Sequence, residues 1–147
     1  MKLTVIPGTY INLDLDISGS TAAQAGLTTA VLQFNNDSTS GHYTWSAQGL
    51  NTDGSTSTGN SNADTSFQAC LLGGISNSTG GCHIHVPFYT QTIQHTALAS
   101  NYFGNSGTPK GGGGVRVGNW TGTAAITEID LTFGVSTTGF ITLHGEN

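Results

Sequence analysis

The clearest pattern in this chain is strict alternation of apolar and polar side chains. Over residues 10–18, Ile11, Leu13, Leu15 and Ile17 fall on one side and Asn12, Asp14, Asp16 and Ser18 on the other, the period of two that marks a half-buried β-strand. A short segment at 3–6 precedes it, and Pro7-Gly8 breaks the run as a turn. Residues 19–26 read as a loop or a single helical turn. Residues 30–34 and 42–47 read as a β-hairpin, because the tip between them is built from Asn, Asp, Ser, Thr and Gly. Residues 49–65 offer almost nothing to bury and read as a long exposed loop.

The same grammar continues to the end. Residues 67–72 and 82–88 flank a glycine-rich segment and read as another hairpin, with Cys82, Ile84, Val86 and Phe88 on one side of the second strand and His83 and His85 on the other. Strands at 91–102 and 115–120 are separated by a glycine-rich loop at 104–114 that contains Lys110. A last pair is expected at 125–133 and 140–144. Eight to ten short strands with turn signals between them predict an all-β fold, an antiparallel β-sandwich of jelly-roll-like form. A chain of 147 residues fits one domain over 1–147. At that size about 68–70% of the unfolded surface is buried, so no metal or disulfide staple is required.

Composition narrows the function. Three Lys and Arg against eight Asp and Glu leave only 7% of the chain charged, where a soluble domain usually carries roughly 25%. Gly, Ser, Thr and Asn take the place of the missing charges. A net charge of −5 and a pI near 5.2 give no basic footprint for a phosphate backbone, so no nucleic-acid partner is expected. No apolar stretch approaches the ~20 residues of a membrane helix, and residues 1–5 enter an alternating strand instead of a signal-peptide core. A soluble protein with no membrane partner is expected.

Several side chains invite chemistry. His83 and His85, two apart on a strand, project from one face, a spacing that chelates Zn²⁺ if His95, His42 or Asp130 supplies further ligands. An exposed polar strand face, or two imidazoles meeting across a symmetry axis, accounts for the same pair, and no metal or other cofactor is assigned. Cys70 and Cys82 lie equidistant from Ser76, so a symmetric hairpin would set them opposite each other. Cross-strand disulfides strain the ideal geometry, and two buried thiols acting as small hydrophobes are the expected state. Asp14 with Asp16, and Glu128 with Asp130, resemble paired carboxylates but on an outer face serve to keep strands from associating. No Gly-x-Ser-x-Gly elbow is present, and Gly111 to Gly114 lacks the Lys-Ser/Thr of a phosphate loop. No catalytic residue and no enzymatic activity are expected. The sequons at Asn36, Asn77 and Asn119 are unsurprising in a chain so rich in Asn, Ser and Thr. Of the aromatic residues Tyr43, Trp45, Tyr89, Tyr102 and Trp120, most should pack in the core, Trp45 among them, with Trp120 open to either a core or a glycan-stacking role.

Four stretches carry a likeness to a known domain. Ile6-Pro7-Gly8-Thr9-Tyr10 opens into an alternating strand, Leu32-Gln33-Phe34-Asn35-Asn36-Asp37 leads into His42-Tyr43, and Val86-Pro87-Phe88-Tyr89 opens a long Thr-rich strand. The fourth runs from Trp120 to Gly145, where Ala125-Ile126-Thr127-Glu128-Ile129-Asp130-Leu131 is followed by a Gly/Thr turn and Gly139-Phe140-Ile141-Thr142-Leu143-His144-Gly145. The arrangement resembles a β-sandwich domain of tailed-bacteriophage virion proteins, found in head-decoration proteins, head fibres and tail-fibre tips. Such domains commonly close on Leu-Tyr-Gly, and His144 stands here where the Tyr would be. The resemblance implies a non-enzymatic structural protein on the outer surface of a virion, made in the host cytoplasm. With no heptad pattern or repeat to form a shaft, the expected role is a capsid decoration or cement protein, a homotrimer bound to the major capsid protein or other virion proteins. The expected contacts are His83 and His85 or the Thr-rich strand near His95. The alternative is a tail-fibre or spike component that recognises a host receptor or glycan through the loops at 49–65 and 104–114. A secreted adhesin would need an export signal, which is not visible in the sequence.

Overall fold

A computed structural model of the chain describes residues 1–4, 6–21, 28–51, 53–72, 79–104 and 111–147. Its described residues form strands β1 (Lys2–Thr4), β2 (Asn12–Thr21), β3 (Thr28–Phe34), β4 (Tyr43–Asn51), β5 (Thr56–Asp64) and β6 (Phe67–Leu72). Five more follow, β7 (Thr79–Val86), β8 (His95–Phe103), β9 (Gly112–Trp120), β10 (Glu128–Phe133) and β11 (Thr137–Glu146). They make two sheets, one of four strands in the order β1-β10-β3-β6 and one of seven in the order β11-β2-β7-β8-β9-β4-β5. Every pairing is antiparallel. The expected all-β sandwich is what the chain forms.

Alternation explains how the layers meet. Leu13, Leu15 and Ile17 of β2 and Ile84 and Val86 of β7 point inward against Leu32 and Phe34 of β3, Phe67 and Leu72 of β6, and Ile129 and Leu131 of β10, in one buried cluster. Each fully buried aliphatic or aromatic side chain of this kind contributes about 1.5–3 kcal/mol relative to exposure. Ile11 and Phe88, read from the pattern as inward residues, are instead exposed. Ile11 precedes the strand, and Phe88 adopts φ 51°, the left-handed region, just past the end of β7.

The two expected hairpins, 30–34 with 42–47 and 67–72 with 82–88, are corrected, and the expected last pair does not lie side by side either. β3 and β4, β6 and β7, and β10 and β11 each lie in different sheets. Two half-buried strands can be joined side by side or face to face, and crossing between sheets sets their apolar faces against each other. Residues 35–42 form such a crossing. Asn35 and Asn36 take φ of 52° and 56°, and Asn35 Oδ1 accepts from Thr127 N at 2.8 Å while its Nδ2 donates to Ala125 O at 2.9 Å. Fully buried Tyr43 ties the two layers, its hydroxyl accepting from Phe34 N at 2.8 Å.

The region expected as a long loop at 49–65 is also corrected. It holds the end of β4, a turn with Gly54 at φ 81°, and β5, which pairs with β4 from Tyr43↔Asp64 to Leu50↔Thr56. β5 is polar because it is the edge of the larger sheet and has little core to cover. Two other loop readings shift in the same way. Gly19 and Ser20 extend β2, and Gly112, Gly113 and Gly114 belong to β9. Residues 22–27, 73–78 and 105–110, including Asn77 and Lys110, lie outside the described residues.

Candidate functional site

The outer face of the seven-stranded sheet gathers the chain's distinctive chemistry. On β2, β7 and β11 the register places Asp14 beside both His85 and His144, and Asp16 beside His83. His83 Nε2 lies 3.0 Å from Asp14 Oδ1 and its Nδ1 3.0 Å from Asp16 Oδ1, while His85 Nδ1 lies 2.9 Å from Asp14 Oδ1. His144 Nε2 stands 3.6 Å from Asp16 Oδ2. Asp14 faces outward, yet the imidazoles cover it so well that it is only 5% exposed. Its Oδ2 has no hydrogen-bond partner among the described residues.

The expected face-sharing of His83 and His85 is therefore present, but the expected helpers are elsewhere. His95 turns inward, stacks on Trp120 at a centroid distance of 5.7 Å, and places Nε2 3.1 Å from Ala124 O. Burial lowers its pKa, with backbone contacts to Ala124 and Gln91 acting the other way. His42 sits at the corner between the sheets, 2.7 Å from Asp37. Asp130 belongs to the four-stranded sheet, where it and Glu128 engage Lys2, at 3.7 and 2.6 Å. The donor atoms that do converge are those of Asp14, His85 and Glu146, within 4.8 Å of one another. That mixed carboxylate and imidazole set suits a borderline divalent ion such as Zn²⁺. Sequence spacing missed His144 and Glu146. Their parity along β11 puts them on one face, but only the pairing with β2 brings them to Asp14 and Asp16.

Next to this cluster lies an apolar patch without charge. Leu98 and Tyr102 of β8, Val115 and Val117 of β9, and Leu50 of β4 are 45–59% exposed, and Leu98 stands directly opposite Val117. The polar positions among them are Ser46, Gln48, Thr96, Ser100 and Asn119. The one charged residue of these three strands, Arg116, points inward and is 6% exposed.

The two cysteines sit on facing strands of the two sheets, buried and free. The Cys82 thiol is pushed well above its ordinary pKa, first by its hydrogen bond with Cys70 and then by burial. Asp37 is held far below the usual carboxylate range. Burial alone would raise it, but hydrogen bonds from His42, Trp120 and Thr39 together outweigh that; Trp120 Nε1 donates to it at 2.7 Å. Trp120 is a core residue. Trp45, expected in the core, is only half-buried and donates from Nε1 to Asp64 Oδ2 at 3.0 Å.

These features define an all-β sandwich with one chemically distinct sheet face. No protein family, curated protein or solved structure matches the chain.

Proposed function

We propose that this protein is a non-enzymatic structural component of a tailed-bacteriophage virion, a capsid decoration protein that docks on the outer capsid surface through the outer face of its seven-stranded sheet. The observation that carries this reading is the charge-free patch of Leu98, Tyr102, Val115, Val117 and Leu50. Interfaces of permanent assemblies are depleted of charge at their centres, because a desolvated and unpaired ion is costly whereas apolar and small polar groups are not. A rigid, two-layered support makes such a face suitable for docking by shape. Virion origin itself rests on the likeness of the four sequence stretches. His95, expected near a subunit contact, is turned away from this face and takes no part in it.

Co-sedimentation with expanded, undecorated capsids tests the reading. The wild-type protein should pellet with capsids and raise their melting temperature, and Leu98→Asp/Val117→Asp, on an exposed face and compatible with folding, should do neither. Failure of the wild type to bind, or undiminished binding by the double variant, would refute docking through this face. Adsorption to host cells with no capsid binding would instead favour receptor or glycan recognition by a tail component.

A further inference from the structure

We propose that the cleft beneath the overhanging edge of the larger sheet binds a small carboxylate-bearing ligand through Arg116. The inference is independent of the virion reading. Seven strands face four, so the inner surfaces of β4, β5 and β9 extend past β6 and leave a cavity of about 200 Å³. Its lining includes Arg116, Gln68, Asn101, Asn51, Ser57 and Gly59. Small residues along this inner surface, Ala47, Gly49, Gly59 and Gly114, keep the space open.

Arg116 is the unexplained group. It is 6% exposed, with Nη1 donating to the side chain and backbone carbonyls of Gln68. Its guanidinium carbon lies 5.9 Å from the Trp45 ring centroid. Nε has no acceptor. None of the ion pairs seen among the described residues includes it. The Cys82 thiol does not neutralise it, because its hydrogen bond with Cys70 and its burial raise its pKa. Desolvation lowers the pKa of Arg116 itself, as expected for a buried cation without a counter-ion. Such a charge is expensive to bury unless an anion completes it.

The chemistry selects a carboxylate. A guanidinium fork matches its planar pair of oxygens, and a single cation balances a monoanion, whereas a phosphate dianion would leave an uncompensated charge among neutral amides. The Asn and Gln side chains then serve the rest of the ligand by hydrogen bonding. An acidic sugar and an acidic amino-acid side chain both present this group.

Titration of the full chain with glucuronate, N-acetylglutamate and uncharged methyl glucoside distinguishes the sources. Saturable displacement of the Arg116 Nε–Hε resonance and a rise in melting temperature are expected with at least one of the two acids and not with the neutral sugar. A response to glucuronate alone identifies an acidic sugar, and one to N-acetylglutamate alone identifies a polypeptide carboxylate. Arg116→Met keeps the unbranched apolar stem and removes the charge, so the unliganded variant should melt no lower than wild type while its affinity falls at least about tenfold. No response to either acid, an equal response to methyl glucoside, or undiminished binding by the Met variant overturns the proposal.

Discussion

Replacing Gly118 with alanine should test how closely the two sheets are matched. Gly118 lies on β9, and a Cβ there would fall 2.6 Å from Cε2 and 2.7 Å from Cγ of Phe67, a 1% exposed ring reaching across from β6 in the other sheet. Non-bonded carbons prefer about 3.5–4.0 Å, so the ring must retreat by roughly 1 Å into an interior packed near crystal density. Overpacking of this kind costs about 1–3 kcal/mol. For a chain of this size that amounts to a melting temperature lower by about 2–12 °C. Urea unfolding of wild type, Gly118→Ala, Phe67→Leu and the double variant supplies the measurement. Because leucine lacks the ring edge that the new methyl strikes, Phe67→Leu should cost less in the Gly118→Ala background than alone, with a coupling of about 0.5–3 kcal/mol. A Gly118→Ala protein as stable as wild type, or two substitutions that add without coupling, would refute the claim that ring-on-backbone contact sets the spacing of the layers.

Asp37 should make the fold acid-sensitive. Its folded pKa lies below its ordinary value of 3.8, so its contribution is complete above that value and is lost as pH falls toward the folded one; Asp37→Asn should cost about 1–3 kcal/mol at neutral pH and flatten the decline of stability below pH ~4. Equal acid midpoints for the two proteins would contradict this. Cys70 and Cys82, buried and free, should resist a thiol reagent in the native protein and react together in urea, and rapid native labelling would show that the core opens more readily than its packing implies. Asp14→Asn should lower stability by about 1–3 kcal/mol through its contacts with His83 and His85, and an unchanged urea midpoint would mean that β7 is held without that carboxylate.

The face of each side chain was legible in the sequence, and its neighbours were not. Period two assigned Leu13, Leu15, Ile17, Ile84 and Val86 to the core and His83, His85, Asp14 and Asp16 to the opposite face, because parity is a local property of an extended chain. It carried no information about which strand lies alongside. The pairs Asp16–His83 and Asp14–His85 span 67 and 71 residues, and their alignment follows from the register of β2 with β7. The hairpin readings failed for a related reason. A polar, turn-rich connection has the same composition whether it folds back beside its strand or carries the chain to the facing sheet, and at residues 35–42 the choice rests on contacts of Asn35 and Tyr43 with distant strands and the facing layer. β5 was invisible for another reason, since an edge strand with little core beneath it has no apolar side to display.

Scarcity of charge makes the grouping of the described ions easy to follow. Lys2 is shared by Glu128 and Asp130 on the smaller sheet, and three of the five histidines surround Asp14 and Asp16 on the larger one. Both groups sit on outer faces, where water and counter-ions reduce the cost of holding them. Arg116 breaks that rule. The residues flanking it, Val115 and Val117, are exposed valines, so strand parity exchanges apolar side chains for a cation across the sheet, placing greasy groups outside and a charge inside. A sequence selected only for stability would favour the reverse arrangement at these three positions. The inversion has a physical rationale if the outward valines meet another protein and the inward guanidinium meets an anion, and it makes Val115-Arg116-Val117 the segment where the docking face and the cleft are built from opposite sides of one strand.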